Sequence, residues 1–273
     1  MSRTVLLSTG ALTRDPVRTD HAEIVRHGPG LGVPGFELAL YSAWYGHLDE
    51  VVADLRESKL AFPVVHADKT IGAGLGSDDG DEVEEALEHL EVNCRAAAAL
   101  GARTLVLHYW ERPSGDAEIE RNLEHLPSCL DTAAAYDVTL AVETIPGEVG
   151  RPLDNVRLAV ERDPRVRVTL DTEFLGFYGQ LEESVDADWL WGERLVHHVH
   201  LKDFDGRLRV RGERRYLLPG EGSLDLQGFL TGLSERAFSG AFTVEASALD
   251  ADGNLQADRL REIAGLVVEL AGG

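Results

Sequence analysis

The segment Val196–Asp203 reads VHHVHLKD, and it predicts a buried β-strand that carries three histidines. Because side chains alternate along a strand, His198 and His200 point to one face and His197 to the other. We expect His197 to face outward. The pattern alone leaves open whether the other two histidines fill a core or hold a ligand.

Seven further runs resemble this segment in being short and mostly aliphatic, with many Val, Leu and Thr residues. Their length and composition are typical of buried parallel strands. Together with Val196–Leu201, the predicted strands are Thr4–Ser8, Phe36–Tyr41, Phe62–His66, Thr104–His108, Thr139–Glu143, Val166–Asp171 and Phe242–Glu245.

Amphipathic helical patterns separate the predicted strands. The clearest covers Asp81–Leu100, where apolar residues recur at steps of three and four, and Gly101 follows as the predicted C-terminal cap. The other predicted helices cover Asn122–Tyr136, Leu153–Arg162, Leu226–Arg236 and Leu255–Leu270. We predict a loop over Gly72–Asp81, which is rich in Gly and Asp and lacks the lysine of a phosphate-binding P-loop.

Eight strand-like runs that alternate with helices predict an α/β protein built as a single (β/α)8 barrel. The 273 residues are close to the roughly 250 that are typical of this fold, so we expect one domain over residues 1–273. A doubly wound open sheet is the alternative, because periodicity alone does not distinguish the two folds.

The chain carries 48 acidic and 26 basic side chains, which gives a formal net charge of −22. Such a field repels nucleic-acid backbones and anionic membranes, so we expect neither as a partner. No window approaches the roughly 20 apolar residues of a membrane span, and the apolar stretch at the N-terminus is too short for a signal peptide. The only cysteines, Cys94 and Cys129, are too few for a disulfide framework. We therefore expect a cytoplasmic protein.

Six of the predicted strands end in, or carry near their end, a residue that can bind a metal or move a proton. These residues are His66, His108, Glu143, Asp171, His200 and Glu245. A lone histidine at such a position is more often structural, and a lone carboxylate is more often a helix N-cap. In a (β/α)8 barrel, however, the carboxyl ends of all strands ring one mouth, where active sites lie. The repetition in six strands therefore favours a shared site.

Clustered carboxylates repel one another, and their desolvation is costly unless a cation or a proton offsets it. Two Glu, one Asp and a His form a ligand set that suits Mn²⁺, Mg²⁺, Co²⁺ or Zn²⁺. We therefore expect one bound divalent ion, with His200 as the histidine ligand. His198 could equally belong to the core or support a ligand. Lys202 is either a solvated lysine or an electrophile near the substrate, and Asp203 either orients a ligand or caps the next turn.

The chain resembles the xylose isomerase-like TIM-barrel superfamily, also known as AP endonuclease family 2. The superfamily includes sugar phosphate isomerases and epimerases, ketose 3-epimerases, inosose dehydratases and endonuclease IV. The resemblance covers nearly the whole chain, and its most specific part is HVHLKD followed by GEGSLD. The other matching motifs are FELALY, PVVHADKTIG, LVLHYWE, LAVETIPG, VTLDTEF and FTVEAS.

The resemblance implies a metal site and a mechanism. The implied metal ligands are Glu143, Asp171, His200 and Glu245. Glu143 and Glu245 would also serve as acid and base, one removing a proton next to a substrate carbonyl and the other returning it, while the cation binds the carbonyl and the adjacent hydroxyl. His66 and His108 match positions that hold a second metal or the substrate.

Two departures from the superfamily pattern narrow the function. The sixth strand often ends in Asp-Thr-Gly-His, whereas here Phe174 takes the place of the histidine that usually contacts the sugar. This replacement argues against a standard ketose epimerase. The segment Glu213–Pro219 also lacks the Asp and His that endonuclease IV uses for its third metal. This absence argues against DNA repair.

Residues near the predicted mouth are candidates for binding the substrate. We predict that His66, His108, Trp110, Lys202 and Arg211 do so. Arg211 could grip a phosphate or a carboxylate, or it could be a solvated charge, as could Arg214 and Arg215. Trp44, Tyr45 and Trp110 could stack on a sugar ring or merely pack a loop. Together with Phe174, these aromatic residues hint at a substrate less polar than a simple sugar phosphate.

The leading interpretation is a metal-dependent isomerase or epimerase of carbohydrate metabolism, with a sugar, a cyclitol or a related polyol as its small-molecule substrate. A lyase or dehydratase that uses the same chemistry is an alternative, and a two-metal hydrolase is another. A non-catalytic sugar-binding module is disfavoured, because binding alone does not require two carboxylates on opposite faces of a substrate. Whether copies of the chain associate is left open.

Overall fold

The computed structural model describes residues 4–12, 21–111, 115–210, 213–246, 248–250 and 254–272. In these residues, eight parallel strands close a barrel. The barrel strands are β1 (Val5–Ser8), β2 (Phe36–Ala39), β3 (Val64–His66), β4 (Thr104–Leu107), β5 (Thr139–Glu143), β6 (Arg167–Asp171), β7 (Val196–Leu201) and β10 (Ala241–Val244). Between β7 and β10 along the chain, β8 (Arg209–Val210) and β9 (Glu213–Arg214) form a two-stranded antiparallel ribbon.

The strand register confirms the predicted (β/α)8 barrel and excludes the open sheet. Strand β1 pairs in parallel with β2 on one side and with β10 on the other, so the described sheet has no free edge. Each of the eight predicted runs corresponds to a barrel strand, with ends that differ by at most two residues. Short aliphatic runs predict these strands well because helices cover the outer face of the sheet and the closed barrel buries its inner face.

Helices surround the barrel. The described α-helices are α1 (His21–His27), α2 (Leu48–Glu57), α3 (Thr70–Leu75), α4 (Gly80–Leu100), α5 (Ile119–Ala135), α6 (Pro152–Arg162), α7 (Thr172–Phe177), α8 (Leu181–Asp186), α9 (Asp188–Gly192), α10 (Leu226–Glu235) and α11 (Ala257–Gly272). The five predicted helices are present. The Asp79 side chain caps α4, and Gly101 ends this helix with a φ of 79°, as predicted. No described helix is long and apolar enough to cross a bilayer.

The loop prediction over Gly72–Asp81 is wrong at both of its ends. The segment Thr70–Leu75 forms helix α3, and Gly80 already belongs to α4. A Cβ atom added to Gly72 would lie 2.1 Å from the carbonyl oxygen of His108. This glycine therefore allows α3 to approach the end of β4 closely, and it does not mark a flexible turn.

Part of the inside of the barrel, below the polar mouth, is apolar. Leu6, Val64 and Val106 are buried and form a small cluster of their own. Because side chains alternate along a strand, Val64 shares its face with His66, and Val106 shares its face with His108. The barrel thus has an apolar floor beneath the ionisable residues at the carboxyl ends of its strands.

Candidate functional site

Four ionisable residues from neighbouring barrel strands converge at the carboxyl-terminal mouth. Glu143 and Asp171 end strands β5 and β6, His200 lies on β7, and Glu245 directly follows β10. One ligand atom of each residue lies within 4.8 Å of those of the other three. The first three side chains are fully buried, whereas that of Glu245 is 20% exposed. This group, which we name the carboxylate site, contains the four residues predicted as metal ligands.

Within the carboxylate site, the imidazole of His200 lies between the carboxylates at the mouth and Glu37 in the barrel interior. Its Nδ1 atom is 3.0 Å from Glu143 Oε1 and 3.4 Å from Glu245 Oε2. Its Nε2 atom is 2.9 Å and 3.1 Å from the two carboxylate oxygens of Glu37. Burial lowers the pKa of His200, but the surrounding carboxylates of Glu37, Glu143 and Glu245 outweigh it and hold this pKa well above its usual value.

Lys202 is not a solvated lysine. Its ammonium group is buried, 2.5 Å from Asp171 Oδ2 and 2.6 Å from Glu245 Oε2, and it lies 4.7 Å from the centre of the Phe174 ring. Burial lowers the pKa of this lysine, but its carboxylate neighbours raise it well above the usual value. The structure therefore places a fixed positive charge at the wall of the carboxylate site.

The two carboxylates that share Lys202 differ in their tendency to ionise. Burial raises the pKa of Asp171 to about 7, and the charges of Glu143 and Glu245 add to this effect, although Lys202 opposes it. Burial also acts against the ionised form of Glu245, but the positive charges of Lys202 and His200 outweigh it and lower its pKa to about 2. The site therefore holds more carboxylate groups than its own cations neutralise fully.

The residues of the carboxylate site fit a divalent cation. Asp171 Oδ2 is buried without a hydrogen-bond partner of suitable geometry among the described residues, and its charge is offset by the Lys202 ammonium at 2.5 Å and by the more distant His200 imidazole at 3.9 Å. Three carboxylates and one imidazole nitrogen suit Mn²⁺, Mg²⁺, Co²⁺ or Zn²⁺ by their chemistry. A bound cation would relieve both the repulsion among the carboxylates and the cost of their burial.

His66 and His108 both contact the remaining oxygen of Glu143. His66 Nδ1 faces the Ala67 carbonyl at 2.9 Å, and His108 Nδ1 faces Glu111 Oε2 at 2.8 Å. Each Nδ1 atom must therefore carry a proton. The two Nε2 atoms lie 3.1 Å and 3.0 Å from Glu143 Oε2. In neutral rings, the lone pairs of both Nε2 atoms would therefore point at a lone pair of this carboxylate oxygen. Such an arrangement requires additional protons or a second cation, and both roles suggested by the sequence stay open.

Glu37 is the residue of this region that the sequence analysis missed. It lies on β2, is fully buried, and accepts hydrogen bonds from the Nε2 atoms of His198 and His200. It occupies the second position of a six-residue apolar run, so a search for residues at strand ends passes over it. A carboxylate inside an otherwise apolar strand was the available signal, because such a group is rarely buried without a partner.

The other two histidines of β7 differ in burial as the strand alternation predicts. His197 is half-buried on the opposite face from His200. His198 is fully buried, and its Nε2 atom lies 2.7 Å from Glu37 Oε2 and 2.9 Å from Thr243 Oγ1. Of the two roles considered for His198, the contact with Glu37 favours support of a neighbouring ligand.

Of the two roles that the sequence leaves open for Trp44 and Trp110, stacking on a sugar and packing a loop, the structure favours packing, and the burial of Trp110 does not support its predicted contact with the substrate. Trp110 is 0% exposed, and its indole N–H donates to the Pro146 carbonyl. Trp44 is also buried, with its ring edge-on to Tyr41. Both residues pack loops because their large apolar rings contribute more when they are removed from water. Arg211, also predicted to bind the substrate, lies outside the described residues.

Two buried aspartates hold the loops around the mouth. Asp203 accepts hydrogen bonds from the backbone N–H groups of Phe204, Gly220 and Leu224, and it thereby orders the loop that contains Gly220–Gly222. Of the two roles considered from the sequence, this geometry favours the structural one, since Asp203 caps the backbone N–H groups of the turn that follows it and of the adjoining loop.

Asp116, which the sequence analysis did not single out, does the same for the loop after β5. It accepts hydrogen bonds from the backbone N–H groups of Glu148, Val149 and Gly150 and from the Asn155 side chain. Burial raises the pKa of Asp116, but these hydrogen bonds outweigh it and leave the pKa below its usual value.

Comparisons with known proteins agree with the fold. The model of a family described as xylose isomerase-like TIM barrel matches residues 27–263. No curated protein matches the sequence. Among solved structures, D-allulose 3-epimerase from Methylomonas sp. has a TM-score of 0.75 at 16% identity, over 98% of this chain and 97% of that chain.

Two further solved structures are similar over almost their whole length. The 3-keto-D-glucoside 4-epimerase of E. coli has a TM-score of 0.68 at 18% identity, over 98% of this chain and 99% of that chain. D-Psicose 3-epimerase from Clostridium cellulolyticum H10 has a TM-score of 0.69 at 14% identity, over 98% of both chains. At these identities the likeness concerns the fold.

Proposed function

We propose that this chain, which belongs to the xylose isomerase-like TIM barrel family, is a divalent-metal-dependent isomerase or epimerase. It would act next to the carbonyl of a sugar, a cyclitol or a related polyol. The observation that carries the proposal is the carboxylate site, in which four ligand atoms lie within 4.8 Å of one another at the barrel mouth. The sugar epimerases among the similar structures support the same reaction class.

The cation would be held by Glu143, Asp171, His200 and Glu245. When bound, a divalent cation supplies Lewis acidity, which stabilises negative charge on the carbonyl and hydroxyl oxygens of a substrate and so acidifies the adjacent C–H bond. The hydrogen bond from Phe174 N to Asp171 Oδ1 orients this carboxylate, and its other oxygen, which pairs with Lys202, would be the ligand atom.

Glu143 and Glu245 would transfer the proton. Strands β6 and β7 separate β5 from β10 in the barrel, so the two glutamates reach the mouth from different sides. One carboxylate would take the proton from the carbon next to the carbonyl, and the other would return a proton to the opposite face of the carbon or to the neighbouring carbon. His66 and His108 contact Glu143 Oε2 and would fix the direction of this carboxylate.

Lys202 would act on the substrate as an electrophile. Its ammonium is the described side-chain cation that ion-pairs with Asp171 and Glu245, and its place at the wall of the site lets it neutralise charge that develops on a substrate oxygen. Phe174 lies against this ammonium, where many relatives would have a histidine.

The surface around the mouth supports a substrate that is less polar than a simple sugar phosphate. Val149, Phe177 and Tyr216 lie on segments that follow β5, β6 and β9, and all three are exposed. Arg215 is paired with Asp205, so its charge is already matched. A keto sugar with a glycosidic substituent would place its apolar part against such residues, and the similar 3-keto-D-glucoside 4-epimerase acts on a molecule of this class.

Two alternatives use the same residues. A lyase or dehydratase would follow the same proton abstraction if the substrate carries a leaving group β to the carbanion. A two-metal hydrolase is favoured by one observation, the convergence of the His66 and His108 Nε2 atoms on Glu143 Oε2. That enzyme would bind two ions per chain and would hydrolyse a phosphate ester.

A proton-exchange experiment tests the proposed function. The purified protein, supplied with Mn²⁺ in D₂O, is incubated with free ketoses, ketose phosphates and 3-keto-glycosides, and NMR follows deuterium at the carbon next to the carbonyl. We expect exchange together with an epimer or an isomer of at least one substrate.

Matched variants give the experiment its control. Glu143→Gln and Glu245→Gln should abolish exchange, whereas Glu182→Gln, at an exposed position of α8, should not. Exchange with loss of a leaving group would identify the lyase. Release of phosphate without exchange would identify the hydrolase and overturn the proposal, as would the absence of any reaction across the panel.

A further inference from the structure

We propose that Glu37 is a positioning residue that holds the His200 imidazole in the orientation and tautomer needed to bind a cation in the carboxylate site. The inference rests on the proposed function, because it assumes that His200 is a metal ligand. It adds a residue from β2, on the far side of the barrel, to the four that come from β5, β6, β7 and the end of β10.

The first argument is the position of the proton on His200. Its Nε2 atom lies 2.9 Å and 3.1 Å from the two oxygens of Glu37, and an ionised carboxylate offers only acceptors. The hydrogen atom must therefore be on Nε2. In the neutral ring this leaves the lone pair on Nδ1, which faces Glu143 Oε1 at 3.0 Å and Glu245 Oε2 at 3.4 Å. The nitrogen that can donate a lone pair is thus the one that faces the carboxylate site.

The second argument is that Glu37 is itself held in place. His198 Nε2 lies 2.7 Å from Glu37 Oε2 and also contacts Thr243 Oγ1 at 2.9 Å. Glu37, His198, His200 and Thr243 are all fully buried, so water does not compete for these hydrogen bonds. The two imidazoles therefore fix the Glu37 carboxylate, which in turn fixes the plane of the His200 ring.

The third argument is energetic. A carboxylate buried inside a barrel is costly to desolvate even when it is paired, and an apolar side chain would fill the same space at lower cost. The adjacent floor of the barrel is apolar, with Leu6, Val64 and Val106. Histidines that bind metals commonly donate their second N–H group to a carboxylate, which orients the ring and strengthens the ligand. Glu37 has the geometry of such a partner.

The test is a measurement of cation affinity on the full chain. Isothermal calorimetry with Mn²⁺ compares the wild type with Glu37→Gln and with Asn155→Leu. The second variant is the control, because it removes a buried hydrogen bond, to Asp116, outside the network of Glu37, His198 and His200. We expect Glu37→Gln to weaken Mn²⁺ binding by about 10- to 100-fold, and Asn155→Leu to stay within about twofold of the wild type.

Two further readouts separate positioning from general damage to the fold. The visible absorption spectrum of the Co²⁺-loaded protein should change in Glu37→Gln, because the direction of the histidine ligand changes, and it should not change in Asn155→Leu. If Glu37→Gln does not fold, ¹⁵N NMR of the imidazoles in the Zn²⁺-loaded wild type decides the question. We expect His200 to carry its proton on Nε2 and the metal on Nδ1.

The outcomes distinguish this inference from the proposed function. Mn²⁺ affinity of Glu37→Gln equal to that of the wild type would overturn the role of Glu37 and leave the metal site standing. Equal losses in Glu37→Gln and Asn155→Leu would also overturn it, since the effect would then be one of stability. A wild type that binds no divalent cation would overturn the proposed metal site, and this inference would fall with it.

Discussion

Replacement of Lys202 by methionine removes the one described ammonium group that ion-pairs with the carboxylate site. Lys202 Nζ lies 2.5 Å from Asp171 Oδ2 and 2.6 Å from Glu245 Oε2. Lys202→Met retains most of the side-chain volume but leaves the three carboxylates facing His200 alone. We expect the metal-free variant to be much less stable than the metal-free wild type.

The magnitude follows from the two contacts. At 2.6 Å, one pair of unit charges attracts by about 6 kcal/mol with an effective dielectric constant of about 20. Desolvation of the buried ammonium offsets much of this energy, and removing one partner of a buried ion pair typically costs about 3–5 kcal/mol. For a chain of this length, about 2–4 °C per kcal/mol implies a melting temperature lower by about 6–20 °C.

A bound cation should reverse the loss, because it supplies the positive charge that the lysine no longer provides. In the wild type, the cation and the ammonium compete for the same carboxylate oxygens. The stabilisation gained from saturating Mn²⁺ should therefore be larger in Lys202→Met than in the wild type.

The assay is thermal unfolding with a chelator and with excess Mn²⁺, for the wild type, for Lys202→Met and for Lys69→Met. Lys69 is exposed and affects Glu245 only through its charge, so its variant should resemble the wild type under both conditions. A Lys202→Met protein that melts with the wild type in chelator, or that gains no more from Mn²⁺, would refute the assignment of this charge.

Three other predictions follow from the structure. Asp116→Asn should destabilise the protein by about 1–3 kcal/mol in urea unfolding at pH 7, because the amide cannot accept all four hydrogen bonds. Asp79→Asn, at the exposed N-cap of α4, should cost less. Because the pKa of Asp116 is lower in the folded state than in the unfolded state, its contribution to the free energy of unfolding is complete above about pH 4. This contribution is lost as the pH falls through the folded pKa. A difference in stability between the wild type and Asp116→Asn that stays constant down to about pH 3 would contradict this. Gly72→Ala should lower the free energy of unfolding by about 1–3 kcal/mol in the same assay, because a Cβ atom at Gly72 would meet the His108 carbonyl. Gly80→Ala should cost much less, because a Cβ atom there meets nothing within 4 Å. Equal costs would argue against close packing of α3. Chelation of the wild type should lower its melting temperature, by an amount that grows with the affinity for the metal, and an unchanged melting temperature would count against a resident cation.

The sequence predicts the barrel well, because each strand is buried on both faces and is read as a short aliphatic run. It also predicts the carboxylate site, because Glu143, Asp171, His200 and Glu245 lie at or near strand ends, and the closure of a barrel brings such ends together. Both inferences use only the position of a residue along its own strand.

The features that the sequence does not predict depend on contacts across the barrel or between loops. Glu37 is recognised as part of the site only when β2 is seen to face β7 across the interior. Lys202 reads equally well as a surface lysine until its two ion pairs are known. Trp110 follows a strand at the mouth, yet its apolar ring is buried in the core, where its indole N–H donates to the Pro146 carbonyl.

The metal content of the purified chain tests the central claim most directly. The wild type and Asp171→Asn are stripped with a chelator, reloaded with Mn²⁺, freed of excess ion, and analysed by elemental analysis, with circular dichroism as the check that both are folded. The account predicts one ion per wild-type chain and a large loss of that ion in Asp171→Asn. A folded wild type without metal, or a variant that retains the ion as well as the wild type does, would contradict it.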